Sequence, residues 1–230
     1  MTASAAAPSL PRGWRLAVHA ALPSTSDLCR ALAQDGAPAL LAVQARQQVQ
    51  GRGSKGRHWE SPEGNLYISV LLRPPGPARE ASQWSLLAGV AVAEAVVGVL
   101  GDDRALALKW PNDLLLGGAK LAGILVDSSA AQGALDWVVI GIGINLALAP
   151  TVPDRRTACL GDVIAPPPPT TMAALLLARL EHWRGVQEAA GFAPVRDAWA
   201  HWGARLPGFA GLAADGSLLA PAGTLLQAEE

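Results

Sequence analysis

Only two of the 230 residues are cysteine, Cys29 and Cys159, and they stand far apart in no paired motif. That argues against a disulfide framework and against a thiolate metal site. The four histidines, His19, His58, His182 and His201, are scattered, with no two at ligand spacing on one element, which argues against zinc. Charge is scarce too. Asp, Glu, Lys and Arg make up 16% of the chain and nearly cancel, leaving a net charge of −1. No general affinity for nucleic acid follows, so any attraction for anions has to be local. The N-terminal stretch MTASAAAPSLPRGW has no apolar segment after a basic start and does not read as a signal peptide. The longest apolar stretches, such as 86–100, are broken by Glu94 and glycines and are too short to span a bilayer. A soluble cytoplasmic protein without membrane partners is expected. There is no internal repeat and no catalytic triad.

What is plentiful is apolar side chain: half of the residues are hydrophobic, enough for a substantial core in one sizeable domain. Residues 1–14 read as a loose tail. Ser24, Thr25 or Ser26 can cap a short helix running to about Gln34. Residues 39–45 and 65–74 read as strands, the second stopped by proline. Residues 82–100 are apolar almost all round, which predicts a buried helix capped by Ser82 and ended by Gly101. The runs at 105–116, 121–129 and 135–148 predict adjacent antiparallel strands, with a turn at Gly117-Gly118. Pro166 to Pro169 is a stiff linker, followed by helices over about 170–190 and 192–205. Beyond residue 206, AlaAspGlySer at 214–217 predicts a small hairpin.

Residues 51–59, GRGSKGRHW, gather three glycines and three of the chain's cations, Arg52, Lys55 and Arg57. Gly51, Gly53 and Gly56 formally fit a dinucleotide fingerprint, but that needs an apolar strand before it and a small-residue helix after it. The flanks QARQQVQ and RHWESPEG supply neither. A Walker loop is excluded because no Gly-Lys-Ser/Thr follows. Two possibilities remain, a solvated basic loop and an anion clamp. For the clamp, glycines let the backbone approach a ligand and offer N–H groups, and arginine forks suit phosphate and carboxylate oxygens. Trp59 adds a flat apolar face beside them. Without a ligand the like charges would repel one another, so the clamp implies a loop that a ligand orders.

Three other stretches carry polar groups at strand ends. In KWPNDLLL, Asn112 and Asp113 follow Pro111 in a turn, either a plain turn or one facing a cleft. In GGAKLAGILV, Lys120 stands at a strand mouth and Gly123 interrupts the strand, which signals a bulge or a close approach. In GIGINLAL, Gly141 and Gly143 clear one strand face, for a ligand or for packing against the helix at 82–100, and Asn145 caps the space. The combined inventory suits a nucleotide together with a small anionic partner.

GRGSKGRHW, NLYISVLL, KWPNDLLL, KLAGILVD and GIGINLA, in this order, resemble the biotin protein ligases, and the STS at 24–26 resembles that family's Ser-Thr-Asn segment. The likeness is strong over about 15–150. It implies an α+β fold, with a mixed, largely antiparallel sheet flanked by helices and related to the class II aminoacyl-tRNA synthetase core. It implies a catalytic domain over 15–205 and an abbreviated C-terminal β domain over 206–230. It also implies a reaction in which biotin and MgATP give biotinyl-5′-AMP and a lysine of a biotin carboxyl carrier protein, from acetyl-CoA carboxylase or a related carboxylase, then takes the biotin. By position, Ser24, Thr25, Gln48, Gly51, Arg52, Lys120 and Gly123 would bind biotin. Arg57, Trp59, Lys109, Asn112, Asp113 and Asn145 would bind ATP or the adenylate, with Lys120 and Arg52 catalytic. Mg²⁺ is expected through the ATP phosphates, its protein ligands being unknown. A lipoyl ligase shares the fold but usually carries a different Arg-rich motif, which does not occur here; a non-catalytic biotin- or nucleotide-binding module is the other alternative. Ser54 replaces a common arginine, which implies looser retention of the adenylate, and Ser26 replaces the usual asparagine. No DNA-binding segment precedes residue 15, so operator binding is not expected. A sheet edge could pair two subunits into a homodimer.

Overall fold

The structure, a computed structural model, describes residues 9–153, 155–219 and 225–226. In chain order the elements are β1 (Arg15–Leu22), α1 (Thr25–Gln34), β2 (Leu41–Gln48), β3 (Leu66–Leu72), α2 (Gln83–Leu100), β4 (Leu106–Lys109), β5 (Asp113–Leu116), β6 (Ala119–Ala131), β7 (Ala134–Ile144), α3 (Pro169–Ala190), α4 (Ala193–Gly203), β8 (Leu218–Leu219) and β9 (Leu225–Leu226). The first seven strands form one sheet in the order β1-β2-β3-β7-β6-β5-β4. Only the β1–β2 pair is parallel, with α1 as its crossover; the others are antiparallel. The fold is therefore the expected mixed, largely antiparallel α+β sheet.

Successive side chains of a strand point to opposite faces, and this alternation builds two layers. Leu66, Ile68, Val70 and Leu72 of β3, with Val138, Ile140, Ile142 and Ile144 of β7, enter the main core against α2, α3 and α4. On the other face Leu71 and Val139 meet Cys29 and Ala33 of α1. The short α1 covers only part of that face. Further along β7 on the same face come Gly141 and Gly143, whose missing side chains let Ser26 and Trp59 come against the sheet. A Cβ on Gly141 would lie 2.4 Å from Ser26 Oγ, and one on Gly143 would lie 2.8 Å from the Trp59 ring. These glycines thus do not serve packing against α2, which lies across the sheet.

Helix boundaries follow local chemistry. Ser24 caps α1, accepting the backbone N–H of Asp27 at 3.3 Å. Ser82 does not cap α2 with its side chain. Its own backbone is already helical, φ −64° and ψ −27°, after a 3-10 turn over Ala78–Glu80, whereas a capping side chain needs an extended backbone. Gly101, in the left-handed region at φ 70°, ends the helix as expected. Pro169 opens α3 at its first position, where a missing N–H costs no bond. The helical stretch Ala78–Leu100 is long and apolar enough to cross a membrane by length and composition, yet two thirds of its most apolar window is buried inside the fold.

Order begins before residue 15. Trp14 is buried, donates from Nε1 to Glu181 Oε2 at 2.9 Å and joins the main core, so the tail read over 1–14 is not loose at its inner end. Residues 1–8 lie outside the described residues. At the other end Ala213 N–H donates to Ser217 O at 2.9 Å across the AlaAspGlySer turn, and β8 pairs with β9. Residues 220–224 and 227–230 of the expected hairpin lie outside the described residues. The segment packs on the main domain: Trp110 Nε1 donates to Gly216 O at 3.1 Å, and Phe209 lies 5.7 Å from Trp199, ring to ring. Cys29 is a core thiol whose pKa burial pushes up to about 12, consistent with an inert side chain.

Candidate active site

A cavity of about 450 Å³ opens over the glycine-cleared face. That is the size of a small-molecule site. From Gly141 to Asn145 its floor runs about 13 Å along β7 at strand rise. The two ends differ in chemistry.

One end is a hydroxyl and amide cluster. Thr25 donates from its backbone N–H to Gln48 Oε1 at 2.8 Å, and Gln48 Nε2 donates to Ser61 Oγ at 3.0 Å. Ser69 Oγ lies 2.8 Å from Thr25 Oγ1 and 3.0 Å from Ser26 Oγ. Ser24, Thr25, Ser26 and Ser69 are all buried, and the helix start brings three of them to the sheet at once. Buried hydroxyls are kept where each finds a partner. Ser69 and Ser61 were not singled out in the sequence. Ser69 had one signal: a hydroxyl inside the apolar run LYISVLL.

In the middle lies Trp59. Its ring fits over both glycines: a Cβ on Gly123 would come within 2.9 Å of it. Its Nε1 is buried against Gly143 without a hydrogen-bond partner among the described residues. The aromatic therefore lies where small residues leave room, over the strands of the two glycine motifs.

The far end is ionic. Lys120 Nζ lies 5.1 Å from the centre of the Trp59 ring and is ion-paired to Asp113 Oδ1. The other carboxylate oxygen, Oδ2, accepts from Arg155 Nη1 at 3.3 Å. Burial pushes the Lys120 ammonium below the usual lysine range; Asp113 opposes that shift, while Arg155 and Arg57 add to it by repulsion. Asn112 Nδ2 donates to Ile124 O at 2.9 Å, tying its turn to β6, and Asn145 Nδ2 donates to Ala158 O at 3.0 Å. Asn145 Oδ1 is buried and without a partner among the described residues.

The glycine loop forms a small hairpin. Gly53 N–H donates to Arg57 O at 2.8 Å and Trp59 N–H to Gly51 O at 2.9 Å. A Cβ on Gly51 would lie 2.3 Å from Trp59 O, so this glycine is a close backbone approach rather than a lining residue. The expected unrelieved repulsion does not occur. Arg52 is paired with Asp27 at 2.9 Å and Asp127 at 3.2 Å, and Arg57 bonds to Ser54 O at 3.1 Å and Ser54 Oγ at 2.8 Å. Asp27 and Asp127 come from α1 and β6, and nothing in sequence spacing relates them to the loop.

Of the residues named from sequence, Ser24, Thr25, Gln48, Arg52, Arg57, Trp59, Asn112, Lys120, Gly123 and Asn145 line this one cavity, and Asp113 holds Lys120 from beneath. Lys109 stands apart, exposed at the end of β4 and outside the lining. Arg155 lines the cavity and was missed.

The geometry agrees with what the chain is similar to. Residues 18–145 match the model of the biotin/lipoate A/B protein ligase family. A biotin–[acetyl-CoA-carboxylase] ligase of Paracoccus denitrificans is 40% identical over 173 residues, 71% of each chain. One from Mycobacterium tuberculosis is 37% identical over 182 residues, 75% of this chain and 66% of that one. The bifunctional ligase/repressor BirA of Bacillus subtilis is 40% identical over 145 residues, 62% of this chain but only 44% of that one. Among solved structures, a Leishmania major biotin protein ligase in complex with biotinyl-5-AMP has TM-score 0.69 at 27% identity, covering 93% of this chain and 99% of that one. The Aquifex aeolicus biotin protein ligase in complex with biotin and ATP, at 24% identity, shares the fold with TM-score 0.75 over 92% of this chain and 95% of that one. With the family model spanning more than half of the residues and the matched motifs converging on one cavity, the chain belongs to the biotin/lipoate A/B protein ligase family.

Proposed function

We infer that the chain is a biotin protein ligase, which activates biotin with ATP and passes it to a lysine of a biotin carboxyl carrier protein. The observation that carries this is the two-ended cavity: a hydroxyl–amide cluster at one end, a buried lysine among arginines at the other, and glycine-cleared strands between. The names of the relatives at 37–40% identity support the same reading.

In this reading Ser24, Thr25 and Gln48 hold the polar head of biotin, and its chain runs over Gly123 toward Lys120. A biotin carboxylate oxygen attacks the α-phosphorus of ATP, the bond to the β-phosphate oxygen breaks, and pyrophosphate leaves. Two anions must approach for this. Lys120, fixed by Asp113 and by burial, holds a positive charge between them, worth about 4 kcal/mol per close pair near a protein surface. Arg57 adds to the field. Arg52, tied to Asp27 and Asp127, anchors the loop over the adenylate. Trp59 supplies the apolar face, and Asn112 and Asn145 line the nucleotide end. The neutral amine of the carrier lysine then attacks the acyl carbon, AMP leaves and a proton is lost.

Mg²⁺ suits this site chemically: it prefers a few carboxylate or amide oxygens with phosphates and waters to a cage of protein ligands. Among the described residues no cluster of three or more Asp, Glu, His or Cys could hold a metal, so the ion would enter on the ATP phosphates, with Asn145 Oδ1 as the unpartnered oxygen at that end. It would supply charge neutralisation of those phosphates. Use of ATP and a carboxylase carrier fits a cytoplasmic enzyme.

Incubation with biotin, MgATP and a carrier domain, followed by mass spectrometry, is expected to give biotinyl-AMP and then a carrier heavier by one biotinyl group. Neither product would reject the assignment.

A further inference from the structure

We propose that Arg155 is a nucleotide-binding residue whose guanidinium takes phosphate oxygens of ATP beside Lys120, in place of its present partner Asp113. The proposal rests on the biotin ligase reading and assigns a residue to it that no motif contains.

Three observations converge on Arg155. First, its position is fixed to that of Lys120 through the backbone. Lys120 N–H donates to Arg156 O at 2.9 Å, Ala158 N–H donates to Lys120 O at 3.0 Å, and Lys120 forms a parallel bridge with Thr157. The segment after β7 thus adds a short strand-like piece beside the mouth of β6. Val152 and Arg155 form an antiparallel bridge, and both line the cavity. Arg155 is carried on the same local frame as the lysine that bridges the reacting groups.

Second, the arginine is paired but not consumed. Asp113 is shared: Oδ1 goes to Lys120 and Oδ2 to Arg155 at 3.3 Å. Charge-assisted bonds of this kind usually measure about 2.7–2.9 Å, so the Arg155 contact is the looser of the two. A guanidinium has five N–H donors in a planar fork, and phosphate can take two of them in parallel. Exchange of Asp113 for phosphate leaves Asp113 with Lys120, so no buried carboxylate is stranded.

Third, positive charge collects at this end. Among the described residues Lys120 and Arg155 share Asp113, and Arg57 lies near enough to repel Lys120. A polyanion restores the balance better than a single carboxylate does. Arg155 is held on Asp113, which lies two strands across the sheet from Gly143, whereas the hydroxyl cluster lies at Gly141 on β7. That separates it from the polar head of biotin and puts it with the phosphates.

The test compares wild type, Arg155→Met and Arg155→Lys. Biotin affinity is read by calorimetry without ATP, ATP affinity by equilibrium dialysis, and the ATP KM by biotin-dependent pyrophosphate exchange. Arg155→Met is expected to weaken ATP binding and raise its KM tenfold or more, to leave biotin affinity within twofold, and to be partly rescued by lysine. Equal ATP binding in wild type and Arg155→Met overturns the proposal. So does loss of biotin and ATP affinity together, which is a structural role, or slower transfer to the carrier with an unchanged ATP KM, which is a protein contact. Wild type that binds ATP but shows no biotin-dependent exchange rejects the ligase reading alone, because dialysis still reads Arg155.

Discussion

The role proposed for Lys120 rests on its surroundings. Its side chain is mostly buried, fixed by one carboxylate and pressed by two arginines. Replacing it with methionine removes the charge between the two anions. Exchange should fall at least a hundredfold, consistent with loss of a preorganised charge from a dry site, while Asp113 keeps Arg155 and the fold survives. Near-wild-type exchange in Lys120→Met would take the residue out of the mechanism. A second prediction follows from protonation. In the proposed role Lys120 works while charged, and burial lowers its pKa, so the alkaline limb of kcat/KM for exchange lies below that of an ordinary lysine. Asp113 favours the charged form and Arg155 disfavours it. Asp113→Asn should therefore move the limb to lower pH and Arg155→Met to higher pH. A pH–rate profile checks the sign, and shifts in the same direction would contradict it.

At the level of elements, the glycine loop is tied down from two directions. Arg52 reaches Asp27 at the start of α1 and Asp127 on β6. Such partly exposed pairs are worth only about 0–1 kcal/mol each, so their effect is local order rather than global stability. Asp127→Asn should speed hydrogen exchange at the Gly53 and Trp59 amides severalfold while the amides of β7 keep their protection. Unchanged exchange in the loop would mean that its own hairpin bonds suffice. This scale also separates what was legible in the sequence from what was not. The loop, the Asn112-Asp113 turn, Lys120 and the paired glycines could be read because glycine, proline and charge are rare inside strands and stand out there. The buried α2 was equally plain from its all-round apolarity. Strand β1 was not: RLAVHAAL pairs on one side only, is partly exposed, and carries Arg15 and His19 with weak alternation. Arg155 was invisible for a different reason. Its segment, PTVPDRRT, has no pattern, and its place is set by pairing with Lys120, thirty-five residues earlier in sequence.

On the scale of the whole molecule, one face of the sheet carries stability and the other carries chemistry. The first is closed by α2, α3 and α4, with Trp199 among the largest fully buried side chains. Trp199→Ala should cost about 3–5 kcal/mol in denaturant unfolding, in line with other buried aromatic truncations, and a loss below 1 kcal/mol would show that the helices are not a cooperative part of the core. The second face carries the cavity beyond α1, and Gly123, Gly141 and Gly143 in its lining let Trp59, Lys120 and Ser26 come against the sheet. What decides the function is which acid enters that cavity. Isotope exchange between pyrophosphate and ATP measures it directly, with biotin and lipoate supplied separately. Exchange should depend on biotin and should not occur with lipoate. Exchange with lipoate but not with biotin would contradict the biotin ligase reading.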